Sequence, residues 1–415
     1  MSTPSQRLDV YNHHRNAMLI NLLKEPLPWN LMSSPEAFKY LEYAMILMGW
    51  TPPQEGWKPF RIILTIVISF WWILYVPIGV FITFFVELKT LSPSEALSVL
   101  QVGINAGGFP LKMIIMRLNM WRYHKIKELL GRMDKRCINI TERLEVHRWV
   151  ARCNIVYLIY QFMYTAYTLS TFFTAIFSGV LPFHLYNPFI DWRESTMNLW
   201  IASVLELIPM NGIVSQTYMM DVFPLLYGLI LRCHVKLLRQ RIENLCSDPR
   251  KSDDENNEDL VFCIKDHKLI LEYVSVMRPV IETIIFVQFL LIGLLLGITM
   301  LNLFFFADFW AKLAIAAYIN GLIIQTFPFC FTCDLLKDDC ESLALAIFHS
   351  HWKSSSRRYK SSLIYFLHNA QMPISFTAGS IFPIGLKTNI TVAKLAFSVV
   401  TFVQQLNIAD KLRKE

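Results

Sequence analysis

The chain reads as an all-α membrane protein of seven transmembrane helices, with the amino terminus cytoplasmic and the seventh helix broken. Three observations predict this. Of 415 residues, 54% are hydrophobic and only 17% charged, less charge than soluble domains carry. The apolar residues cluster in runs of about 20 or more, the length that crosses a bilayer's hydrocarbon. Lysine and arginine are dense in alternate connections and sparse in the others.

Residues 1–60 form a cytoplasmic amino-terminal segment, mixed and polar, broken by Pro26, Pro28, Pro35, Pro52 and Pro53. It lacks the uninterrupted apolar core of a cleavable signal. Phe38, Leu41, Ala44, Met45 and Met48 recur at helical spacing, which predicts a short amphipathic helix on the membrane surface. Residues 61–232 hold the first four spans: Ile62 to Val86, Ala96 to Ile115, Asn154 to Leu181 and Trp200 to Leu231. The second is rich in small residues (Gly103, Ala106, Gly107, Gly108), which admit either a neighbouring helix or a ligand. The fourth carries Glu206, Asn211, Gln216 and Asp221. A carboxylate at that depth must face protein or water. Glu206 is therefore read as a polar contact, and Asp221 as a residue near the membrane boundary.

Residues 233–278 are a cytoplasmic helical extension with an acidic, disordered-looking loop from Ser247 to Asp259. Leu260, Ile264, His267, Leu271 and Val274 then follow heptad spacing, which predicts helix packing outside the membrane. Residues 279–331 hold the fifth span, Val280 to Phe305, and the sixth, Phe309 to Phe331. The short link Ala307-Asp308 forces them into an antiparallel hairpin. Residues 332–372 are cytoplasmic: Asp334 to Trp352 is amphipathic, and Leu363 to Ala370 is too short to span. Pro373 and the Gly379 to Gly385 stretch interrupt the chain before the last segment, 373–415, which ends in a short extracellular tail.

That last segment has the most informative pattern. Thr388 to Leu406 just spans the hydrocarbon at about 1.5 Å per residue. Thr391, Lys394, Ser398, Thr401, Phe402 and Gln405 fall on one helical face. A polar stripe must be hidden from lipid, against protein or water. It is read here as the lining of a pore, so the seventh span divides into a cytoplasmic part and a pore-lining part.

Other classes are disfavoured. The net charge of +7 comes without a basic block or recognition motif, so it is a topology signal and no nucleic-acid partner is expected. None of the eight cysteines falls in an outer loop, which argues against a disulfide framework. Cys330-x-x-Cys333 with Cys340, His349 and His351 lacks a second CxxC, so a zinc site is not expected, nor any cofactor. No nucleophile–base constellation supports an enzyme. A secondary transporter would carry an internal repeat, and none is visible. Basic residues fill the amino-terminal, second-to-third, fourth-to-fifth and sixth-to-seventh connections, while the alternate ones offer only Lys89, Arg193 and Lys312. This orientation is the reverse of a G-protein-coupled receptor's.

The chain resembles an insect odorant receptor over essentially its whole length, most strongly from Leu260 onward. The carriers are His267 leading into Arg278-Pro279, then Phe327-Pro328-Phe329-Cys330. Glu341-Ser342 with Ala346, Phe348 and Trp352 follow, then Gln371-x-Pro373, Ala378-Gly379 and the Ser398 to Leu406 segment. The resemblance implies an odour-binding subunit of a ligand-gated, non-selective cation channel. Such a subunit forms a heterotetramer with an odorant co-receptor in the plasma membrane, on the dendrites of olfactory sensory neurons. Cytoplasmic helices within 332–372 would be the anchor between subunits, and the final helices would surround the pore. It also puts the ligand pocket in the outer half of the membrane, between the second, third, fourth and sixth spans.

Carried onto this sequence, the pore and gate positions are Phe402, Gln405 and Leu406, beside Ser398 on the stripe. Phe402 departs from the smaller aliphatic residue common in the family. Thr401 to Leu406 also half resembles the signature of insect gustatory receptors, but lacks its terminal Phe. The alternatives are therefore a gustatory-type channel or a metabotropic seven-helix receptor. The pocket follows from chemistry, since sites for small volatile organic ligands are apolar with a few orienting polar groups. Gln101, Val102, Asn105 and Ala106 fit on the second span, Tyr167, Ser170, Thr171 and Thr174 on the third, and Tyr318 on the sixth. Epitope tags on intact, unpermeabilised cells are expected to be accessible at the carboxyl end and not at the amino end; the reverse result would restore the metabotropic topology.

Overall fold

A computed structural model describes residues 31–50, 58–70, 74–87, 92–183, 185–187, 189–307 and 309–405. Its helices follow from local signals. A 3₁₀ turn, Ser34–Phe38, leads into α1, Lys39–Leu47. Next come α2 (Lys58–Phe70), α3 (Val76–Glu87), α4 (Pro93–Leu118) and α5 (Met120–Asp134). The long helices are α6 (Ile140–Phe177), α7 (Thr196–Glu243), α8 (Asp253–Phe305) and α9 (Phe309–His349). Then α10 (Arg357–Ala370), a two-stranded hairpin of β1 (Thr377–Ala378) and β2 (Phe382–Pro383), and α11 (Leu386–Gln405) complete the described chain. Ser92 with Glu95 and Ser252 with Glu255 form capping boxes that fix the starts of α4 and α8.

Five of the described helices are long and apolar enough to cross a membrane: α4, α7, α8, α9 from Ile315 onward, and α11. The third predicted span lies in α6, whose Tyr157, Tyr160, Gln161, Tyr164, Thr165 and Tyr167 lower its hydropathy. The first is divided between α2 and α3, and residues 71–73 between them lie outside the described residues.

Several boundaries differ from the sequence reading. The fourth span and the segment after it form one 48-residue helix, α7, about 70 Å long. Likewise α9 runs unbroken from the sixth span to His349. The acidic stretch is mostly helical, because Ser252 caps α8 at Asp253 and three carboxylates favour its positive N-terminus. The heptad seam drifts: Leu260, His267 and Val274 are buried, but Leu271 is exposed, and Cys263, Ile270, Tyr273 and Met277 complete the buried face. A straight helix turns faster than a heptad, so the contact face moves round it. The amphipathic helix forms, yet its apolar face meets protein, with the Phe38 ring 5.8 Å from Tyr123 and 5.9 Å from Phe223. Tyr43, Ile46 and Leu47 are the exposed side.

The end of the bundle holding α1, α5 and α10, here called basal, is polar and ion-paired. Asp266 of α8 accepts from both Arg136 and Arg241, and Arg241 also grips Glu142 at 2.7 and 2.9 Å. Ser34 donates to Asp134 at 2.5 Å and lies 3.0 Å from His234, which pins the 3₁₀ turn between α5 and α7. Burial holds His234 down at about 3, and His267, packed on the Phe366 ring, at about 4. Both imidazoles fold neutral, so the unfolded chain takes up more protons as pH falls below about 6.5. Stability is therefore present above that value and is lost as pH falls from about 6.5 toward 4. From pH 7 to pH 5, His267 is expected to account for a loss of about 2 kcal/mol. A melting series in detergent checks this: His267→Leu should lose correspondingly less stability over that interval than the parent.

Candidate ligand pocket and pore helix

Two helices of the predicted pocket meet through aromatic rings. Tyr167 of α6 and Tyr318 of α9 face each other with centroids 6.4 Å apart. The Tyr318 hydroxyl is buried and makes no hydrogen bond among the described residues, although the Gln101 side chain of α4 lies beside it. An unsatisfied hydroxyl at this depth is costly, and a ligand oxygen would satisfy it. Asn105 is half-buried one turn from Gln101, and Ala106 is buried in the main core. Ser170 and Thr171 both donate to the Tyr167 carbonyl, at 2.8 and 3.0 Å, so their hydroxyls are taken up by their own helix. Ser170 and Thr174 are exposed. Gly108 of the second span serves packing: a Cβ there would lie 2.4 Å from Leu291 of α8. That contact draws α4 and α8 together and leaves no room for a ligand at this point.

Toward the basal end of the same bundle lies a polar cluster that sequence reasoning missed. Lys112 of α4 and Asp221 of α7 pair at 2.9 Å, with side-chain exposures of 3% and 1%. Lys112 also donates to Gln288 of α8 at 2.5 Å, and Gln288 donates to Gln325 of α9 at 2.7 Å. The Tyr164 hydroxyl of α6 donates to the other Asp221 oxygen at 2.8 Å. Asp221 is therefore a buried partner of Lys112. The available signal was a lysine inside an apolar run, six residues before Leu118. Glu206 is a polar contact as expected: it accepts from the backbone N–H groups of Phe183 and Leu185, at 3.1 and 2.7 Å, and so holds the loop after α6. It borders an apical cavity of about 180 Å³ that also includes Thr83, Ile190, Trp192 and Ala202.

The broken seventh span is set up by two carboxylates. Glu282 of α8 accepts from the backbone and hydroxyl of Thr377, at 2.8 and 3.0 Å, and its carbonyl accepts from the Gly379 N–H at 3.3 Å. Gly379 has φ +56°, and a Cβ there would strike the Phe286 ring at 2.7 Å. Asp334 of α9 accepts from the Leu386 N–H at 2.9 Å, a negative charge at the positive end of α11. Asn389, in the first turn of α11, donates to Thr326 of α9 at 3.1 Å.

Beyond its first turns α11 is held from one side only. Ala396 and Val400 are its buried residues. At about 100° per residue, Lys394, Ser398, Thr401 and Gln405 lie on the opposite side. Lys394, Ser398 and Gln405 are exposed, as is Phe402 at 59%. The hydroxyls of Thr391, Ser398 and Thr401 each donate to a carbonyl of their own helix. Leu406 lies outside the described residues.

A family profile described as 7tm odorant receptor matches residues 92–397. Odorant receptor 98a of Drosophila melanogaster is 57% identical over 397 residues, covering 96% of this chain and all of that protein. The chain belongs to the odorant receptor family. Odorant receptor 42b of the same fly is 47% identical, covering 91% of this chain and 94% of the relative. The fold matches the insect olfactory receptor OR5 from Machilis hrabei, with a TM-score of 0.71 over 89% of this chain and 97% of that one, at 14% identity. The same receptor solved in complex with eugenol matches at a TM-score of 0.69 and 16% identity. This is a multi-pass, seven-helix receptor of olfaction and not an enzyme. The odorant branch is thereby separated from the gustatory one.

In this receptor the Lys112–Asp221 pair is buried on both sides, so breaking it by a single change is expected to be costly. Neutralising one partner leaves a buried charge, at a cost of about 3–5 kcal/mol, whereas replacing both by apolar residues removes that charge. Lys112→Met or Asp221→Leu alone is expected to melt in detergent well below the double variant; equal melting of all three would show that the pair is not desolvated.

Proposed function

We propose that this receptor is the odour-binding subunit of a ligand-gated, non-selective cation channel. It assembles with an odorant co-receptor as a heterotetramer in the plasma membrane of olfactory sensory neuron dendrites. One observation carries the reading: α11 turns its polar stripe away from its own bundle. In lipid that stripe would be expensive, so water or further subunits must meet it. Four such helices around an axis give each stripe an aqueous surface, with Ser398, Phe402, Gln405 and Leu406 lining the path and its outer gate.

The basal end is then cytoplasmic, in keeping with its excess of arginine and lysine. Its surface supports assembly too. An apolar groove of about 380 Å³ between α9 and α10 is lined by Leu345, Phe348, Leu367, Ala370 and Pro373. Leu345, Phe348, Ile364 and Tyr365 are all more than half exposed outside the apolar spans. Residues Glu341, Phe348, Gln371 and Pro373, which carried the family resemblance, border this groove.

Ligand binding is assigned to Gln101, Asn105, Ala106, Tyr167, Ser170, Thr171, Thr174 and Tyr318. A volatile of six to eight carbons gains about 0.8 kcal/mol per buried CH₂, so micromolar affinity needs few hydrogen bonds. The unpartnered Tyr318 hydroxyl supplies one of them. Expressed with the co-receptor, Gln405→Ala or Phe402→Ala should change ion selectivity or blocker sensitivity and leave odour ranking unaltered. Ala106→Val or Tyr167→Ala should shift odour potency about tenfold, equivalent to about 1.4 kcal/mol, with permeation intact. Unchanged permeation in both pore variants would refute the pore assignment, and an unchanged odour panel would remove Ala106 and Tyr167 from the pocket.

A further inference from the structure

We propose that the chain of bonds Tyr164–Asp221–Lys112–Gln288–Gln325 couples the odour pocket to the pore helix; this rests on the channel reading above. Every link has one donor and one acceptor. The Tyr164 hydroxyl and the Lys112 ammonium each donate to a different oxygen of Asp221. Lys112 donates onward to the Gln288 carbonyl, and the Gln288 amide donates to the Gln325 carbonyl. The five residues come from α6, α7, α4, α8 and α9, and the Gln325 side chain also interacts with the Tyr164 hydroxyl, so the bonds close into one cluster that ties five helices together.

Two members of the cluster lie where a coupling device needs them. Tyr164 is one turn from Tyr167, and Gln325 is two turns from Tyr318, the two rings that meet between α6 and α9 and to which odour binding is assigned above. Thr326, beside Gln325, bonds Asn389 in the first turn of α11. Gln288 lies on α8, where Gly293 approaches Val392 of α11 and Glu282 holds the hairpin before it. A ligand that moves the Tyr318 end of α9 relative to α6 therefore acts on a helix that also carries Gln325 and Thr326.

The chemistry makes this path discrete. A buried ammonium and carboxylate separate only at high cost, because burial weakens the screening of each charge by solvent. Reorganisation must exchange whole partners, and the two glutamine amides offer both donors and acceptors for that exchange. Such an element has two arrangements that a ligand and a gate can each bias. Lys112, Asp221, Gln288, Gln325 and Tyr164 are thus positioning residues for gating and touch neither odour nor ion.

The experiment is current recording from cells expressing the receptor with the co-receptor, across an odour panel, with surface receptor labelled in parallel. Gln325→Leu and Gln288→Leu keep the ion pair and are the variants of choice; Lys112→Asp combined with Asp221→Lys tests the pair itself. The expected result is an unchanged rank order of odours, with the maximal evoked current per surface receptor altered by about tenfold. Ligand-independent current should change with it, and Gln325→Leu should add nothing to Gln288→Leu. Wild-type maximal and resting currents in both glutamine variants, at normal surface density, would overturn the coupling and leave the channel reading standing. A reordered odour ranking in those variants would also overturn it, since the cluster would then be pocket lining. Absence of any odour-evoked current from the wild type with the co-receptor would overturn both readings.

Discussion

The arrangement of the bundle depends on an ammonium and a carboxylate that are almost completely buried. Lys112 and Asp221 are nearly fully buried, and each is stable there only while the other stays in contact. That requirement fixes α4 against α7. The remaining valences of the pair then reach α6, α8 and α9 through Tyr164, Gln288 and Gln325. Apolar packing alone would let these helices slide, because lipid tails and leucine side chains offer similar surroundings. Hydrogen bonds in a dry interior do not tolerate sliding, so the polar cluster sets the register that the surrounding apolar contacts fill.

A second constraint acts along the helices. Because α7, α8 and α9 run without interruption from the apical end into the basal region, each carries membrane residues and basal residues on one rod. The basal pairs of Arg241 with Asp266 and Glu142 tie α7 to α8 and α6, and Arg232 of α7 pairs with Asp339 of α9 at 2.6 Å. Their prolines, such as Pro209, Pro279 and Pro328, lie inside the helices without ending them. The chain after α10 is different. Glu282 and Asp334 hold the hairpin and the start of α11, but beyond that start α11 keeps one face on α8 and leaves the other open.

Much of this was legible in the residues. The spans, the break before the last helix and the polar stripe are properties of local composition and period, and the structure has helices in those places. The contact between Tyr167 and Tyr318 was only partly legible: both are polar-tipped residues on apolar faces, but their meeting across α6 and α9 is set by packing. The ion pair was not. Lys112 and Asp221 are separated by 109 positions, and nothing in either local run says that one answers the other. The seam at Leu271 was misread for a related reason: a fixed period cannot report how a straight helix rotates against its neighbours.

The sequence by itself determined the membrane class, the number and order of spans and the family, because hydropathy, helical period and motif order are read along the chain. Tertiary structure alone decided which polar residues share one buried cluster, that Gly108 serves helix packing, and that the stripe on α11 faces away from its own bundle. The physical reason is that a charge buried in an apolar bundle is satisfied by whatever the fold brings within hydrogen-bond reach, and that proximity is a property of helix packing rather than of sequence distance.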